Sequence, residues 1–164
     1  MEASLPTISI VTPSFNQRVF LPAAMSSILG QEYPALEYVV IDGGSTDGSV
    51  DVIRSEAGRL AYWCSEPDGG QYKGINKGFA RTRGDIMAWL NADDMYTPWA
   101  LSVVGEVFAQ LPEVQWLTTA CPLSLDARGR VVACHPSDGY SRRTFMKGEN
   151  LPGGSWRAKG FIQQ

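Results

Sequence analysis

One stretch restricts the fold of this chain more than any other. Ile86-Met87-Ala88-Trp89-Leu90 is an apolar run, and it passes through Asn91-Ala92 directly into two adjacent carboxylates, Asp93-Asp94. An apolar run bounded by polar residues reads as a strand buried on both faces, the kind found in parallel sheets. In open α/β sheets, ligands gather at the carboxyl ends of the strands. Two acids there repel each other and lose solvation, so they call for a counter-charge. A divalent cation that carries phosphates supplies one, because magnesium and manganese take oxygen ligands and need only one or two carboxylates besides the phosphate. A second reading stands beside it: a solvated turn that caps a helix starting near Pro98.

The rest of the chain sets the context. Ile8 to Val11 reads as a first buried strand, stopped by Pro13-Ser14-Phe15-Asn16-Gln17. Leu21, Met25, Ile28 and Leu29 then recur at helical spacing, with Pro22 in the first turn and Gly30 after the last. Glu37 to Ile41 reads as a second strand ending at Asp42-Gly43-Gly44-Ser45-Thr46-Asp47-Gly48, and Val50 and Ile53 place a helix after it. Residues 60–64 are expected to form a third strand, 71–82 a helix, 98–110 another helix, and 114–120 a fifth strand. Turn chemistry at 124–130 precedes Val131-Val132-Ala133-Cys134. Alternation of strand and helix through the first half predicts a parallel sheet with helices on both faces. It also brings Phe15/Asn16, Asp42, Asp68 and Asp93/Asp94 to the ends of successive strands, a constellation that no single motif provides.

Bulk properties exclude several classes. A chain of 164 residues suits one domain. A net charge of -3 gives no general basic footprint for nucleic acid. No apolar run approaches the ~20 residues that span a bilayer, and residues 1–6 lack a signal-peptide pattern. Three cysteines without CxxC spacing argue against a disulfide framework or a zinc site and for a reducing cytosol. His135 is the single histidine and is read as structural or superficial.

Three segments carry a family resemblance. Ser9-Ile10-Val11-Thr12-Pro13-Ser14-Phe15-Asn16, Val40-Ile41-Asp42-Gly43-Gly44-Ser45-Thr46-Asp47 and Leu90-Asn91-Ala92-Asp93-Asp94 resemble the nucleotide-sugar-binding half of glycosyltransferase family 2. Between them, Ser65-Glu66-Pro67-Asp68-Gly69-Gly70-Gln71-Tyr72 and Asn76-Lys77-Gly78 resemble the subgroup that builds bacterial surface polysaccharides. The resemblance covers roughly residues 7 to 100. It implies a GT-A fold, an α/β/α sandwich on a mostly parallel sheet, in a single domain over 1–164. Within it, 7–111 would bind the nucleotide sugar, and 112–164 would be an incomplete acceptor-side part.

The resemblance also implies roles. Phe15 would lie against the uracil or other base, with Pro13 and Ser14 shaping that wall through their backbone and Asn16 beside it; otherwise Phe15 is core. Asp42 would accept a hydrogen bond from base or ribose, or else close an Asx turn on Gly44 or Ser45. The family commonly has a second acid where this chain has Gly43. Asp68 would sit near the nucleotide or donor sugar, with Gly69 and Gly70 leaving room, or else belong to a Pro-Asp-Gly turn. Asp94 would be the first metal ligand, for Mg2+ or Mn2+, and Asp93 would contact the ribose or the metal through water. Lys73 and Arg83 are candidates for phosphate charge or for a solvated helix surface.

The implied reaction is an inverting transfer from a nucleoside-diphosphate sugar, UDP-sugar favoured, to a saccharide or lipid-linked acceptor hydroxyl in cell-surface polysaccharide biosynthesis. A carboxylate would deprotonate that hydroxyl. The base is expected beyond Gln164, after a segment like Phe161-Ile162-Gln163-Gln164; Asp138 and Glu149 are the late acids within the chain. A truncated, inactive fragment is therefore expected, with Trp156, Phe161 and Ile162 lacking partners and an exposed edge open to self-association. The setting would be cytoplasmic, at the inner face of the membrane, with Arg142, Arg143 and Lys147 as a small basic cluster. The competing class is a non-catalytic nucleotide-sugar-binding module or partner subunit. A dinucleotide oxidoreductase is set aside, because Pro13-Ser14-Phe15-Asn16 stands where a G-x-G-x-x-G would follow the first strand.

Overall fold

The computed structural model describes residues 5–119, 121–126 and 129–136. The chain divides into two compact units, Met1–Gln115 and Trp116–Gln164. In the first, strands β1 (Ile8–Ser14), β2 (Leu36–Asp42), β3 (Tyr62–Ser65) and β4 (Ile86–Trp89) form one sheet in the order β3-β2-β1-β4. Every pairing in it is parallel. Helices α1 (Leu21–Leu29), α2 (Ser49–Ser55) and α3 (Gln71–Phe79) connect the strands, and α4 (Ala100–Gln110) follows β4.

The central strand explains the layering. β1 is buried at all of its positions. On one face Ile8 and Ile10, with Tyr38 and Val40 of β2, pack against Leu21, Met25 and Ile28 of α1, Ile53 of α2 and Leu101 of α4. On the other, Val11, Val39 and Ile41 meet Phe79 of α3, Tyr62 and Trp89. Strand alternation sends successive side chains to opposite faces, so one apolar run serves both layers. Gly78 lets α3 come close: a Cβ there would overlap the Val11 side chain. Between the two central strands, the Tyr38 hydroxyl donates to Thr12 Oγ1 at 3.0 Å. At the amino ends of the strands, Ser9 Oγ donates to Glu37 Oε2 at 2.5 Å.

Several expected boundaries shift. A 3-10 turn, Ala57–Arg59, occupies the approach to β3, so that strand starts at Tyr62 rather than at residue 60. α3 stops at Phe79, and α4 starts at Ala100, after a turn that contains Pro98. Residues 114–119 form no strand. In the second unit, β5 (Leu123–Leu125) and β6 (Val131–Cys134) make an antiparallel hairpin. Its turn is closed by Gly129 N donating to the Asp126 carbonyl at 2.9 Å.

The cysteine expectation needs correction. Cys121 and Cys134 are joined in a disulfide, with their Cα atoms 6.2 Å apart, and Cys64 is free. The hairpin causes this: Cys134 pairs with Leu123 in register, which brings it beside Cys121. His135 lies in the same unit, its Nε2 2.9 Å from Ser124 Oγ. The readings placed on Asp138, Arg142, Arg143, Lys147, Glu149, Trp156, Phe161 and Ile162 lie outside the described residues.

Candidate functional site

The candidate residues collect at the carboxyl ends of the parallel strands. Pro13 and Ser14 end β1, and Asp42 ends β2. In register, Ser14, Asp42 and Ser65 form one row across β1, β2 and β3. The loops beyond this row are laced together. Ser14 O accepts from Gly43 N at 2.8 Å. Asn16, in a left-handed conformation at φ 53, donates from its backbone N–H to Ser45 Oγ at 2.8 Å and accepts Thr46 N–H on Oδ1 at 3.0 Å. Gln17 N–H donates to Ser49 Oγ and Arg18 N–H to Asp47 Oδ2. Phe15 stands between these braced neighbours, 60% exposed. A large ring held outward by a fixed backbone offers a face for stacking rather than a core contact. Ser14 Oγ is buried with no hydrogen-bond partner among the described residues.

Asp42 is fully enclosed, at 0% relative exposure. Its Oδ2 accepts from Gly44 N at 3.1 Å, Ser45 N at 2.8 Å and Ser65 Oγ at 2.6 Å, and its Oδ1 accepts from Ser45 Oγ at 2.5 Å. These donors nearly fill the acceptor capacity of a carboxylate. In this arrangement Asp42 holds the β2–α2 loop in shape and ties it to β3.

Asp68 sits in a cradle of glycines. A Cβ on Gly43 would lie 3.3 Å from both Asp68 Oδ1 and Phe15 Cδ2, and one on Gly74 would lie 2.7 Å from Asp68 Oδ2. Gly43 thus brings the Phe15 ring and the Asp68 carboxylate to one spot. Asp68 Oδ1 also accepts from Gly70 N at 2.8 Å. Gly70 has φ 117, a conformation that side chains disfavour, and it turns the chain into α3. Lys73 folds back over Gly69, where a Cβ would lie 3.1 Å from its Nζ. Glu66 anchors the loop by an ion pair with Lys77, which raises the Lys77 pKa and lowers that of Glu66. Arg83 is at the other end of the sheet, its backbone N–H donating to Glu37 Oε2 at 2.8 Å. That placement removes it from the strand-end cluster.

Asp93 and Asp94 follow β4 in a turn closed by Asp94 N donating to Asn91 O at 3.1 Å. They do not cap a helix, because α4 starts at Ala100 and its preceding residue, Trp99, makes no side-chain cap. Asp93 is exposed and Asp94 half-buried. Burial raises the Asp94 pKa, a hydrogen bond from Asn91 opposes the rise, and the Asp93 charge adds to it. Tyr96 beside them is pushed up to about 12 by burial and then by the charge of Asp94. Sequence reasoning left out two residues here. Asn91 Nδ2 donates to Asp94 Oδ2 at 2.9 Å, and Gln71 Nε2 donates to Asn91 Oδ1 at 2.7 Å. The only signal for them was Asn91 standing within the acidic motif and Gln71 following the glycine pair.

Among the described residues, neither Asp93 nor Asp94 has an ion-pair partner, and no group of three or more His, Cys, Asp or Glu gathers. Two hard carboxylate donors with no ion-pair partner among the described residues suit a hard cation that draws its remaining oxygens from a phosphate and water. The pair therefore suits a metal that shares its oxygen ligands with a bound phosphate.

The chain is similar in sequence and in fold to known glycosyltransferases. The profile described as Glycosyl transferase family 2 matches residues 9–163. An uncharacterized glycosyltransferase of Mycobacterium tuberculosis is 40% identical over 95 residues, covering 57% of this chain and 36% of that protein. The O-antigen biosynthesis protein RfbC of Myxococcus xanthus is 33% identical over 129 residues, covering 76% of this chain and 10% of that protein. The chain thus spans about a third or less of these relatives. Among solved structures, Staphylococcus aureus TarS in complex with UDP-GlcNAc superposes with TM-score 0.60 at 16% identity, over 73% of this chain and 40% of that one. The mannosyltransferase PcManGT of Pyrobaculum calidifontis, in complex with GDP-Man and Mn2+, superposes with TM-score 0.59 at 25% identity, over 65% of this chain and 33% of that one. The α/β/α sandwich described above is the GT-A fold of these enzymes.

Proposed function

The chain belongs to glycosyltransferase family 2, and from that premise we propose that the strand ends of its first unit hold a nucleoside-diphosphate sugar together with a divalent cation, for inverting transfer to a saccharide or lipid-linked hydroxyl in cell-surface polysaccharide biosynthesis. One observation carries the reading. Gly43 brings the exposed Phe15 ring and Asp68 together, Asp68 accepts from the Gly70 N–H just before Gln71, and hydrogen bonds run on from Gln71 through Asn91 to Asp94, which has no ion-pair partner among the described residues. A nucleoside diphosphate has that same order of parts: a flat base, a polar ribose and a charged diphosphate.

Phe15 stacks on the base, and Pro13, Ser14 and Asn16 hold the wall behind it. Asp68 accepts from base or ribose, with Gly70 keeping the approach open. Asp42 contributes by fixing the loop that carries Gly43. Asp93 and Asp94 face the diphosphate, Asp94 as the first metal ligand and Asp93 at the ribose or through water. A bound Mg2+ or Mn2+ would offset the charge that builds up on the departing diphosphate. Lys73 lies close enough to the loop to add positive charge there. We assign deprotonation of the acceptor to a carboxylate outside the described residues. We keep a cytoplasmic setting at the inner face of the membrane on the family reading alone, since the Cys121–Cys134 disulfide removes the cysteine argument for a reducing compartment. Support comes from PcManGT, whose structure holds GDP-Man and Mn2+, and from RfbC, named for O-antigen biosynthesis.

Calorimetry with UDP and Mn2+ tests this. UDP should bind in the presence of Mn2+ and more weakly in EDTA, and Asp94→Ala should lose about tenfold or more in affinity, ~1.4 kcal/mol. No binding, or binding unchanged in Asp94→Ala, would overturn the donor-site assignment. GDP should bind more weakly than UDP if the base wall is selective.

A further inference from the structure

We propose that Gln71 and Asn91 are positioning residues for the Asp94 carboxylate, acting in series as a hydrogen-bond relay from the start of α3 to the end of β4. This rests on the reading of Asp94 as the metal-facing group. The direction of the relay is dictated by chemistry. An ionised carboxylate only accepts, so Asn91 must turn its amide N–H toward Asp94, and it does so at 2.9 Å. That leaves Asn91 Oδ1 facing away, where only a donor can hold it. Gln71 Nε2 is that donor, at 2.7 Å. An amide has two faces of nearly equal shape, and its partners alone decide which way it points. Without Gln71, no bond among those described secures the carbonyl side of Asn91.

The consequence for Asp94 is directional. Its Oδ2 is tied to Asn91. None of the described hydrogen bonds goes to Oδ1, which stays available to a cation. Ligands fixed by outer partners bind metal more tightly than ligands that must be ordered on binding. Gln71 is also fixed through its own chain: Gly70 N–H donates to Asp68 Oδ1 just before it. One turn therefore sets both the nucleoside-side carboxylate and the relay to the diphosphate-side carboxylate. Gln71 is exposed and Asn91 only half-buried, so removing either side chain takes little packing from the core.

A double-mutant cycle tests the series arrangement, with parent, Gln71→Met, Asn91→Ala and the double variant measured by calorimetry for UDP affinity with Mn2+ and in EDTA. Thermal unfolding of each metal-free protein serves as the folding control. Asn91→Ala should weaken Mn2+-dependent UDP binding about tenfold and Gln71→Met three- to fivefold, and the double variant should be no worse than Asn91→Ala. UDP affinity in EDTA and the unfolding midpoint should stay at the parent values, which a merely structural role would not allow. Additive losses, or equal losses in EDTA, overturn the relay. Variants that match a parent sensitive to Asp94→Ala refute the relay alone; a parent that binds no UDP refutes the donor site and the relay with it.

Discussion

Replacing Gly74 by alanine separates the two things Asp68 can do. A Cβ at residue 74 would lie 2.7 Å from Asp68 Oδ2 and 3.6 Å from Ile41 Cγ2. The second distance is ordinary contact, so the carboxylate alone must move. Gly74 lies inside α3, where alanine gains about 1 kcal/mol of helix stability over glycine. Displacing Asp68 gives up its bond from Gly70 N–H, a loss of about 1–2 kcal/mol for a charged acceptor. The two terms nearly cancel, and Gly74→Ala should unfold within about 1 kcal/mol of the parent. UDP binding is expected to respond differently. If Asp68 accepts a hydrogen bond from the nucleoside, misplacing it should weaken UDP with Mn2+ by about 10- to 100-fold, ~1.4–2.8 kcal/mol. Denaturant unfolding and calorimetry on one preparation give both numbers. Parent-like UDP affinity in a folded Gly74→Ala protein would refute the argument, because the carboxylate would then have moved with no consequence for the ligand.

The other predictions concern the scaffold. Asp42→Asn should lower stability by about 1–2 kcal/mol in urea unfolding, since the amide oxygen can still accept from Gly44, Ser45 and Ser65 but without charge assistance, and its N–H2 forces the Ser45 hydroxyl to accept where it had donated. Tyr38→Phe should lower it by about 1–2 kcal/mol by leaving the buried Thr12 hydroxyl without its donor, and UDP affinity should not change. Glu37 supplies a pH test. Burial pushes its pKa up, but hydrogen bonds from Ser9, Arg83 and Gly84 outweigh that and hold it below the usual 4.5. A depressed carboxylate stabilises the fold above its unfolded pKa, and that contribution is lost as pH falls through the folded value. Glu37→Gln should therefore be less stable than the parent by about 1 kcal/mol at neutral pH. The gap should close on acidification below the ordinary carboxylate range, as followed by thermal unfolding across pH.

The parallel sheet was legible because burial of its two central strands shows as short apolar stretches, Ile10-Val11 in β1 and Tyr38-Val39-Val40-Ile41 in β2, whereas the longer apolar run of β4 proved only partly buried, with Met87 exposed. Boundaries failed where local chemistry competed. Leu60 precedes β3 because the 3-10 turn at Ala57–Arg59 uses the approach. Pro98 starts a turn and not α4. The apolar residues near 114–119 imitate a strand, yet the hairpin forms later, at Leu123–Leu125 and Val131–Cys134. The disulfide was hidden by an odd cysteine count and a separation of 13, which only the hairpin register shortens. At the site, the strand-end residues could be read one by one from turns that follow apolar runs. Their connections could not. That Asp42 turns inward while Asp68 occupies a glycine cradle depends on how β2 and α3 pack. The Gln71–Asn91 bond joins residues 20 apart in sequence, and no local pattern encodes it.

The proposed donor site requires Asp93 and Asp94 to hold a cation only in company with a diphosphate. Electron paramagnetic resonance of Mn2+, titrated with the protein alone and then with saturating UDP, measures this directly. Two carboxylates with no third His, Cys, Asp or Glu gathered beside them among the described residues should bind Mn2+ weakly, and UDP should tighten that binding at least tenfold, with the gain abolished in Asp94→Ala. Tight Mn2+ binding without UDP, or an affinity that UDP leaves unchanged, would contradict the account.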